Sequence, residues 1–291
     1  MAEYMGTQSG DSAARRQITL RVALRTTFVL TWFAIYLVIL TLILGPFLWI
    51  WCRLFDRQRR SVRKLVRMFY RHGMRGYCGK NMRIKEFDWS AIRGPCLLIA
   101  NHQSAIDILL MFQLPPDGCC WSKEWPFQMP ILGWLMSLSG HLHVEKPDIV
   151  NRATEMVRAG QSMYIFPEGT RSRSLKLGRF HEGAFQLACR TNVPVVPVAI
   201  HGSGNCMPPG QMAVFDLPIL VEPLAILYPD HNLAHPQREL KKQVRDLIVA
   251  ALARGPEQSR EVKSHATGPE GHDTFHPVVP DFNAAGETPH G

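Results

Sequence analysis

The sequence predicts an α/β fold, in which helices flank a largely parallel β-sheet and a membrane-embedded helical segment comes first. The sheet is predicted because short apolar runs alternate with helix-like runs between about residues 80 and 230, a pattern typical of buried strands joined by helices. The membrane segment is predicted because residues 26–51 contain no charged side chain, and a soluble helix is rarely apolar on every face.

Each element of the α/β region follows from its local pattern. The predicted strands are residues 96–100, 162–167, 193–200 and 217–227. The predicted helices between them are residues 104–114, 131–138, 149–160 and 182–191. A closing helix, residues 235–254, places apolar side chains on one face at helical spacing.

These elements divide the chain into four parts. Residues 1–25 form a basic lead, and residues 26–79 form the membrane segment followed by a basic interfacial helix. Residues 80–254 form the α/β domain. From Gly255 the chain turns to Gly, Pro, His, Ser and acidic residues, so residues 255–291 are predicted to be a disordered tail.

The uncharged run is long enough to cross a bilayer. As a helix, residues 26–51 would extend roughly 39 Å, more than the ~30 Å of a hydrocarbon core. The run is too long for a signal peptide and lacks a small-residue cleavage pattern. Proline disrupts helices, so Gly45-Pro46 leaves two alternatives open. Either residues 26–44 span the membrane, or the run bends at Gly45-Pro46 into a hairpin within one leaflet.

Basic residues flank this run unequally. Four arginines precede it, whereas residues 53–75 carry nine Lys or Arg against the single acidic residue Asp56. The richer flank is expected on the cytoplasmic side. Apolar residues interleave with these arginines, which predicts an interfacial helix on anionic lipid. No nucleic-acid-binding signature accompanies them, so no nucleic-acid partner is expected.

Composition narrows the class of protein further. The seven cysteines form no Cys-x-x-Cys pair and do not alternate with histidines at zinc spacing. We therefore expect reduced thiols in a cytosol-facing protein and no metal site. The net charge is +9, although the tail from Gly255 holds six acidic residues and two basic ones. The positive charge therefore lies in the rest of the chain, where it suits membranes or anionic substrates.

The stretch "NHQSAID" lies between a predicted strand and a predicted helix, where α/β proteins place binding groups. His102 and Asp107 are five residues apart, which fits a catalytic dyad. Ser104 and Asp107 also fit a helix N-cap followed by an acidic residue in the first turn. Spacing alone does not decide between these readings. The same spacing recurs at His143/Asp148 and His276/Asp281.

The stretch "YIFPEGTRSR", residues 164–173, ends a second predicted strand. Pro-Glu-Gly favours a tight turn, and Thr170 could cap a following helix. Arg171 and Arg173 stand beside that turn, where a guanidinium can bind a phosphate or a carboxylate. The alternative is an ordinary strand and turn with solvated arginines.

Together, "NHQSAID" and "FPEGTRSR" resemble the paired signatures of the bacterial-type lysophosphatidic acid (1-acyl-sn-glycerol-3-phosphate) acyltransferase family. "GHLHVEK", residues 140–146, is similar to that family's Gly-x-Ile-Phe-Ile-Asp-Arg block, with Glu145-Lys146 in place of Asp-Arg. "VPVVPVAI" is similar to its last Val-Pro block, and "SKEWPFQMPILGWLM" to its Lys-containing lead into an apolar helix.

The resemblance implies the glycerolipid acyltransferase fold, with a mixed, largely parallel sheet. It implies transfer of an acyl group from acyl-CoA or acyl carrier protein to the sn-2 hydroxyl of 1-acylglycerol-3-phosphate, which gives phosphatidic acid. His102 would be the general base and Asp107 would orient it. No cofactor beyond the donor and no metal is implied. The implied substrate-binding residues are Ser104, Lys123, Lys146, Glu168, Gly169, Thr170 and Arg171.

Within this set, Arg171 would bind the substrate phosphate, with Lys146, Lys123 or Arg173 adding positive charge. Trp134, in the apolar run of residues 129–138, could limit the depth of an acyl channel. The alternative functions are the same chemistry on a lyso-ornithine lipid or another lysophospholipid, and a non-catalytic membrane protein that binds anions. The expected location is the bacterial inner membrane, with the catalytic domain facing the cytoplasm.

Overall fold

A computed structural model describes residues 17–56, 59–78, 81–172, 176–211 and 213–261. The strands are β1 (Met82–Ile84), β2 (Leu97–Ala100), β3 (Gly118–Ser122), β4 (Leu142–His143), β5 (Ser162–Ile165), β6 (Val195–His201) and β7 (Ile219–Pro223). The first helices are α1 (Leu20–Val38), α2 (Gly45–Leu54), α3 (Arg60–Cys78), α4 (Asp107–Met111) and α5 (Glu124–Gln128). The later helices are α6 (Pro130–Leu138), α7 (Ile149–Arg158), α8 (Gly183–Thr191), α9 (Ser203–Cys206) and α10 (Pro236–Glu261).

The strands form one sheet in the order β1-β7-β6-β2-β5-β3-β4. The five strands from β6 to β4 are parallel, β7 runs antiparallel to β6, and β1 is parallel to β7. The predicted mixed, largely parallel sheet is therefore confirmed. In such a sheet the loops after the parallel strands meet at one edge. The loops that carry His102 and Arg171 leave the neighbouring strands β2 and β5 at that edge.

Hydrophobic clusters cover both faces of the sheet. Along β2, Leu98 and Ala100 belong to one cluster, and Leu97 and Ile99 belong to the other. This alternation is the side-chain period of a strand that is buried on both faces. The first cluster packs against α2, α3, α4 and α6, and the second against α7, α8 and α10. Because α2 and α3 share a core with the sheet, the predicted boundary at residue 80 does not separate two cores.

Some elements of the structure differ from the prediction. β1, β3, β4, α5 and α9 lie outside the predicted strands and helices, and the helix expected at residues 104–114 is only α4. The sequence of β3 contains no Val, Ile or Thr, so it lacks the usual strand signal. α10 reaches Glu261 across a break at Gly255, whose φ is +72°, so it overlaps the first residues of the expected disordered tail. The rest of that tail lies outside the described residues.

The apolar N-terminal segment is helical throughout. A π-helical stretch, Ile39–Leu44, joins α1 directly to α2, and Gly45 has helical dihedrals of −59° and −52°. The hairpin alternative placed its bend at Gly45-Pro46, and the structure has no bend there. The wider π-helical turn changes the backbone hydrogen-bond register directly before Pro46, so the proline ring fits without ending the helix. After α2 the chain returns, so that α3 packs against α1, where Phe33 stacks on Tyr70 with ring centroids 6.4 Å apart.

This segment contacts the α/β domain near both of its ends. Thr26 Oγ1 accepts a hydrogen bond of 3.0 Å from the backbone N–H of Val214, and Arg25 forms a 2.5 Å ion pair with Asp216. Further along, a Cβ on Gly45 would lie 2.4 Å from the Trp134 ring. Within the described residues, one helix, Leu20–Ile43, is long and apolar enough to cross a membrane. The protein therefore has a candidate membrane segment that lies against its domain.

The arginines of and before α3 contact backbone carbonyls of the domain. Arg67 donates to three carbonyls just beyond α4, Arg60 donates to one just beyond α7, and Arg59 donates to two at the end of α6. Cations at helix C-termini offset the partial negative charge of unpaired carbonyls. The predicted interfacial helix is thus packed on the domain through these arginines, and its contact with anionic lipid stays a prediction. The accepting residues are Phe112, Leu114, Pro115, Ser137, Leu138 and Ala159.

Candidate active site

The candidate site begins where β2 ends, at a residue that the sequence analysis missed. The buried Asn101 side chain donates to Ile200 O at 3.0 Å and accepts from Ile200 N at 2.8 Å. An amide that both donates and accepts can mimic the ladder of a neighbouring strand. Asn101 therefore continues the pairing of β2 with β6 and fixes the backbone that leads into His102.

His102 and Asp107 form the predicted pair. His102 Nδ1 lies 2.9 Å from Asp107 Oδ2, and that same oxygen accepts 2.7 Å hydrogen bonds from Gln103 N and Ser104 N. Asp107 is fully buried, whereas the His102 side chain is one-fifth exposed. An ionised carboxylate only accepts, so His102 carries its proton on Nδ1 and presents the Nε2 lone pair outward. The imidazole also stacks on Phe166, with ring centroids 4.4 Å apart.

Ser104 does not cap a helix. Its hydroxyl donates to Met207 O at 2.9 Å, and the residue that precedes α4 is Ile106, which has no side-chain capping bond. The predicted N-cap role is therefore wrong, because a carbonyl from the loop after α9 takes the hydroxyl proton. The structure shows no basis for direct substrate binding by Ser104, so its substrate role stays a prediction.

Glu168 has a role that the sequence analysis missed. It was expected to shape the acceptor pocket, yet both of its carboxylate oxygens bond to backbone N–H groups. Oε1 accepts from His102 N at 2.8 Å, and Oε2 accepts from Gly178 N at 2.7 Å. The pKa of Glu168 is raised above its ordinary value, because burial outweighs the opposite effect of these two hydrogen bonds and of the nearby His102. Glu168 therefore links the loop after β2 to the segment before α8.

The turn after β5 brings Arg171 beside this loop. Gly169 has a φ of +67° and donates to Phe166 O at 3.1 Å, as the predicted Pro-Glu-Gly turn requires. Ser172 N donates to His102 O at 2.9 Å. Arg171 is exposed at this junction and has no partner among the described residues.

The expectations for Thr170 and Arg173 have different outcomes. Thr170 is exposed, and the next helix within the described residues, α8, begins only at Gly183. Its predicted capping role is therefore wrong. Arg173 lies outside the described residues, so its predicted contribution to the charge at this site stays a prediction.

The two predicted lysines lie farther along the same edge of the sheet. Lys123 follows β3 and Lys146 follows β4, which are two and three strands from β2. With strands about 4.8 Å apart, these separations are roughly 10 Å and 14 Å. Lys146 instead lines a cavity with Arg59 and Arg152. The structure therefore does not bring Lys146 to the dyad.

The other candidates also have different surroundings. His143 Nε2 lies 3.7 Å from Glu145 Oε2, while Asp148 precedes α7, so the repeated spacing at this pair is not a dyad. His276 and Asp281 lie outside the described residues. Glu124, His143 and Glu145 could offer ligand atoms within 4.8 Å of one another, with both carboxylates exposed. The expected absence of a metal stays a prediction.

Comparison with known proteins finds a family model that matches the region holding this site. Residues 80–201 match the family model described as Acyltransferase. This region therefore resembles the acyltransferase family. That match spans β2, β5 and β6, together with the dyad, Glu168 and Arg171.

Individual relatives of this region carry acyltransferase names. The chain is 33% identical over 198 residues to the Brassica napus protein named 1-acyl-sn-glycerol-3-phosphate acyltransferase BAT2, chloroplastic, covering 63% of this chain and 54% of the relative. It is 29% identical over 212 residues to the Saccharomyces cerevisiae protein named 1-acyl-sn-glycerol-3-phosphate acyltransferase, covering 69% of each. The chain thus spans about half the length of the first relative. The crystal structure of the 1-acyl-sn-glycerophosphate acyltransferase PlsC from Thermotoga maritima shares the fold, with a TM-score of 0.69, 22% identity and coverage of 82% of this chain and 98% of that chain.

Glu168→Gln tests the carboxylate that links the loop after β2 to the segment before α8. Glutamine keeps one acceptor oxygen but turns an amide N–H₂ toward a buried backbone N–H. We expect a loss of about 1–3 kcal/mol in the free energy of unfolding, with lower turnover because the His102 backbone loses its anchor. Denaturant unfolding and kcat measure the two effects. Glu182→Gln, an exposed carboxylate nearby, is the matched control, and equal stability of the two variants would contradict the assignment.

Proposed function

We propose that this protein transfers an acyl group from a thioester to the sn-2 hydroxyl of 1-acylglycerol-3-phosphate, giving phosphatidic acid. The observation that carries the proposal is the His102–Asp107 pair with an outward Nε2, held beside Arg171 by the Ser172 N to His102 O hydrogen bond. The names of the relatives point to the same substrate.

In the proposed reaction, His102 Nε2 accepts the proton of the acceptor hydroxyl as its oxygen attacks the thioester carbonyl. A carbon–oxygen bond forms, the carbon–sulfur bond breaks, and the proton passes from Nε2 to the departing thiolate. Asp107 stabilises the imidazolium through the Nδ1–H bond and does not itself take up the proton. Phe166 stacks on the same ring and adds a favourable cation–π contact while it is charged.

The substrate phosphate is assigned to Arg171, because this exposed guanidinium stands one residue from the contact with His102. Arginine can bind a phosphate through two parallel hydrogen bonds. Lys123, one strand beyond β5, adds longer-range positive charge. The donor is acyl-CoA or acyl carrier protein, and no other cofactor is proposed. A protein that only bound anions would have no need of an oriented, outward-facing base.

The membrane segment is proposed to lie within one leaflet instead of crossing the bilayer. Arg25 and Thr26 at one end contact the loop around Val214, while Gly45 at the other contacts Trp134. A helix held at both ends on one water-facing domain cannot cross a ~30 Å core. Its outward face is apolar and suited to lipid. The exposed residues include Leu24, Phe28, Trp32, Ile35, Leu42 and Phe47. We place the domain on the cytoplasmic side of the inner membrane.

Substitution of the dyad tests the chemistry. His102→Ala or Asp107→Asn should lower kcat by on the order of 10²-fold or more, because the base or its orienting partner is lost. The assay is phosphatidic acid formation by purified protein supplied with lysophosphatidic acid and each donor. The exposed histidine variant His231→Ala should keep wild-type turnover. Activity of His102→Ala within a few-fold of wild type would remove the proposed mechanism.

Arg171→Ala tests the phosphate site separately. We expect the KM for lysophosphatidic acid to rise about tenfold or more with a smaller change in kcat, because a charge-assisted hydrogen bond to the phosphate is lost. Lys242→Ala removes an exposed cation on α10 and serves as the control. If the KM for lysophosphatidic acid stays at the wild-type value in Arg171→Ala, this residue does not bind the phosphate.

The one-leaflet placement is tested by protease access to tagged protein on intact inside-out vesicles. We expect added protease to remove tags at both the N- and C-terminus, because both termini lie on one side of the membrane. Vesicles opened with detergent provide the control for complete cleavage. Protection of the N-terminal tag alone in intact vesicles would show that the helix crosses the membrane.

A further inference from the structure

A basic cavity of about 640 Å³ lies over the edge strand β4, three strands from β2. Its lining includes four cationic side chains, two of them at or just before the start of α3, and one carboxylate, Glu124. It is also separate from the proposed catalytic dyad, because neither His102 nor Asp107 lines it. The four cations are Arg59, Arg63, Lys146 and Arg152.

The charge in this cavity is only partly neutralised. The buried Arg63 lies 4.0 Å from Asp117, and Arg59 donates to a backbone carbonyl. Lys146 and Arg152 are exposed and have no ion pair among the described residues. Two cations without partners that line a concave surface suit a phosphate, which accepts several charge-assisted hydrogen bonds at once.

A second cavity, of about 410 Å³, adjoins the first through Arg59. Its other lining residues are mostly apolar and lead to the candidate membrane segment, since Trp49, Cys52 and Arg53 belong to α2 and Leu138 ends α6. Trp49 is about half exposed, and tryptophan favours the boundary between lipid and water. The two cavities together therefore offer a basic end and an apolar end that opens at the membrane face.

We propose that these two cavities form a binding site for an anionic phospholipid, distinct from the acyl-transfer site. The phosphate lies between Arg59, Lys146 and Arg152, and an acyl chain follows Leu138 and Trp49 toward α2. A free phosphate satisfies only the basic end, whereas a phospholipid satisfies both. This site does not depend on the proposed catalytic activity, and its test requires no turnover.

The test measures binding by isothermal titration calorimetry, with the full chain in the Arg171→Ala background. That background removes the phosphate contact proposed for the substrate, so the remaining phosphate binding reports on the cavity. The probes are dihexanoyl phosphatidic acid, dihexanoyl phosphatidylcholine and inorganic phosphate. We expect the phosphatidic acid to bind at least tenfold more tightly than either other probe, because only it matches both ends of the site.

Variants then locate the binding. Lys146→Ala and Arg152→Ala should each weaken dihexanoyl phosphatidic acid about tenfold, the value of one lost charge-assisted hydrogen bond. Arg158→Ala, an exposed arginine on the same helix as Arg152, should leave its affinity unchanged. Trp49→Ala should weaken the lipid but not inorganic phosphate.

Three results would overturn the proposal. Equal affinity for phosphatidic acid and inorganic phosphate would show that the site does not recognise a lipid. Equal affinity for phosphatidic acid and phosphatidylcholine would show that the site does not select an anionic headgroup. Wild-type affinity in both Lys146→Ala and Arg152→Ala would place the binding elsewhere. The turnover of His102→Ala tests the proposed function independently of all three results.

Discussion

One carboxylate oxygen organises the candidate active site. Asp107 Oδ2 accepts from the His102 ring and from two consecutive backbone N–H groups, so a single buried atom fixes both the imidazole and the turn that carries it. Burying a charge is costly unless hydrogen bonds compensate for lost water, and here three donors compensate at Oδ2, while Oδ1 is buried without a hydrogen bond among the described residues. The base and the start of α4 consequently form one unit, because moving either would break bonds to the same atom.

Glu168 extends this constraint across the sheet edge. Asp107 holds the loop after β2 from within, whereas Glu168 connects that loop to a segment that follows β5 in the chain. Both carboxylates accept from backbone N–H groups, which side-chain substitutions elsewhere cannot remove. Asn101 supplies a third anchor through Ile200 on β6. The site is therefore positioned by three neighbouring strands, and preorganisation of this kind is what acid–base chemistry requires.

Much of this arrangement could be predicted from the sequence, because strand-like and helix-like runs are local signals. Four strands, the main helices of the domain and the loop positions of His102 and Arg171 all follow from such runs. The roles of Glu168, Ser104 and Lys146 could not be predicted in the same way. Glu168 bonds to a residue 66 positions away and Ser104 to one 103 positions away, and no short-range pattern records partners at that distance. Lys146 was misplaced because the order of β3 and β4 in the sheet is a tertiary property.

The contacts of the arginines around α3 bear on how the net charge of the protein acts at a distance. Composition gives +9, yet Arg59, Arg60 and Arg67 donate to helix-terminal carbonyls, and Arg25 is paired with Asp216. The ion pair with Asp216 neutralises Arg25, whereas the carbonyls leave Arg59, Arg60 and Arg67 charged but fixed against the domain. Salt screens the attraction of such charges beyond about 10 Å at 0.1 M. In the proposed one-leaflet placement, adhesion to a bilayer therefore depends more on the exposed apolar face of α1 and less on charge than the isoelectric point suggests. High salt should accordingly be poor at releasing the protein from membranes, because salt does not weaken contacts made by buried apolar surface.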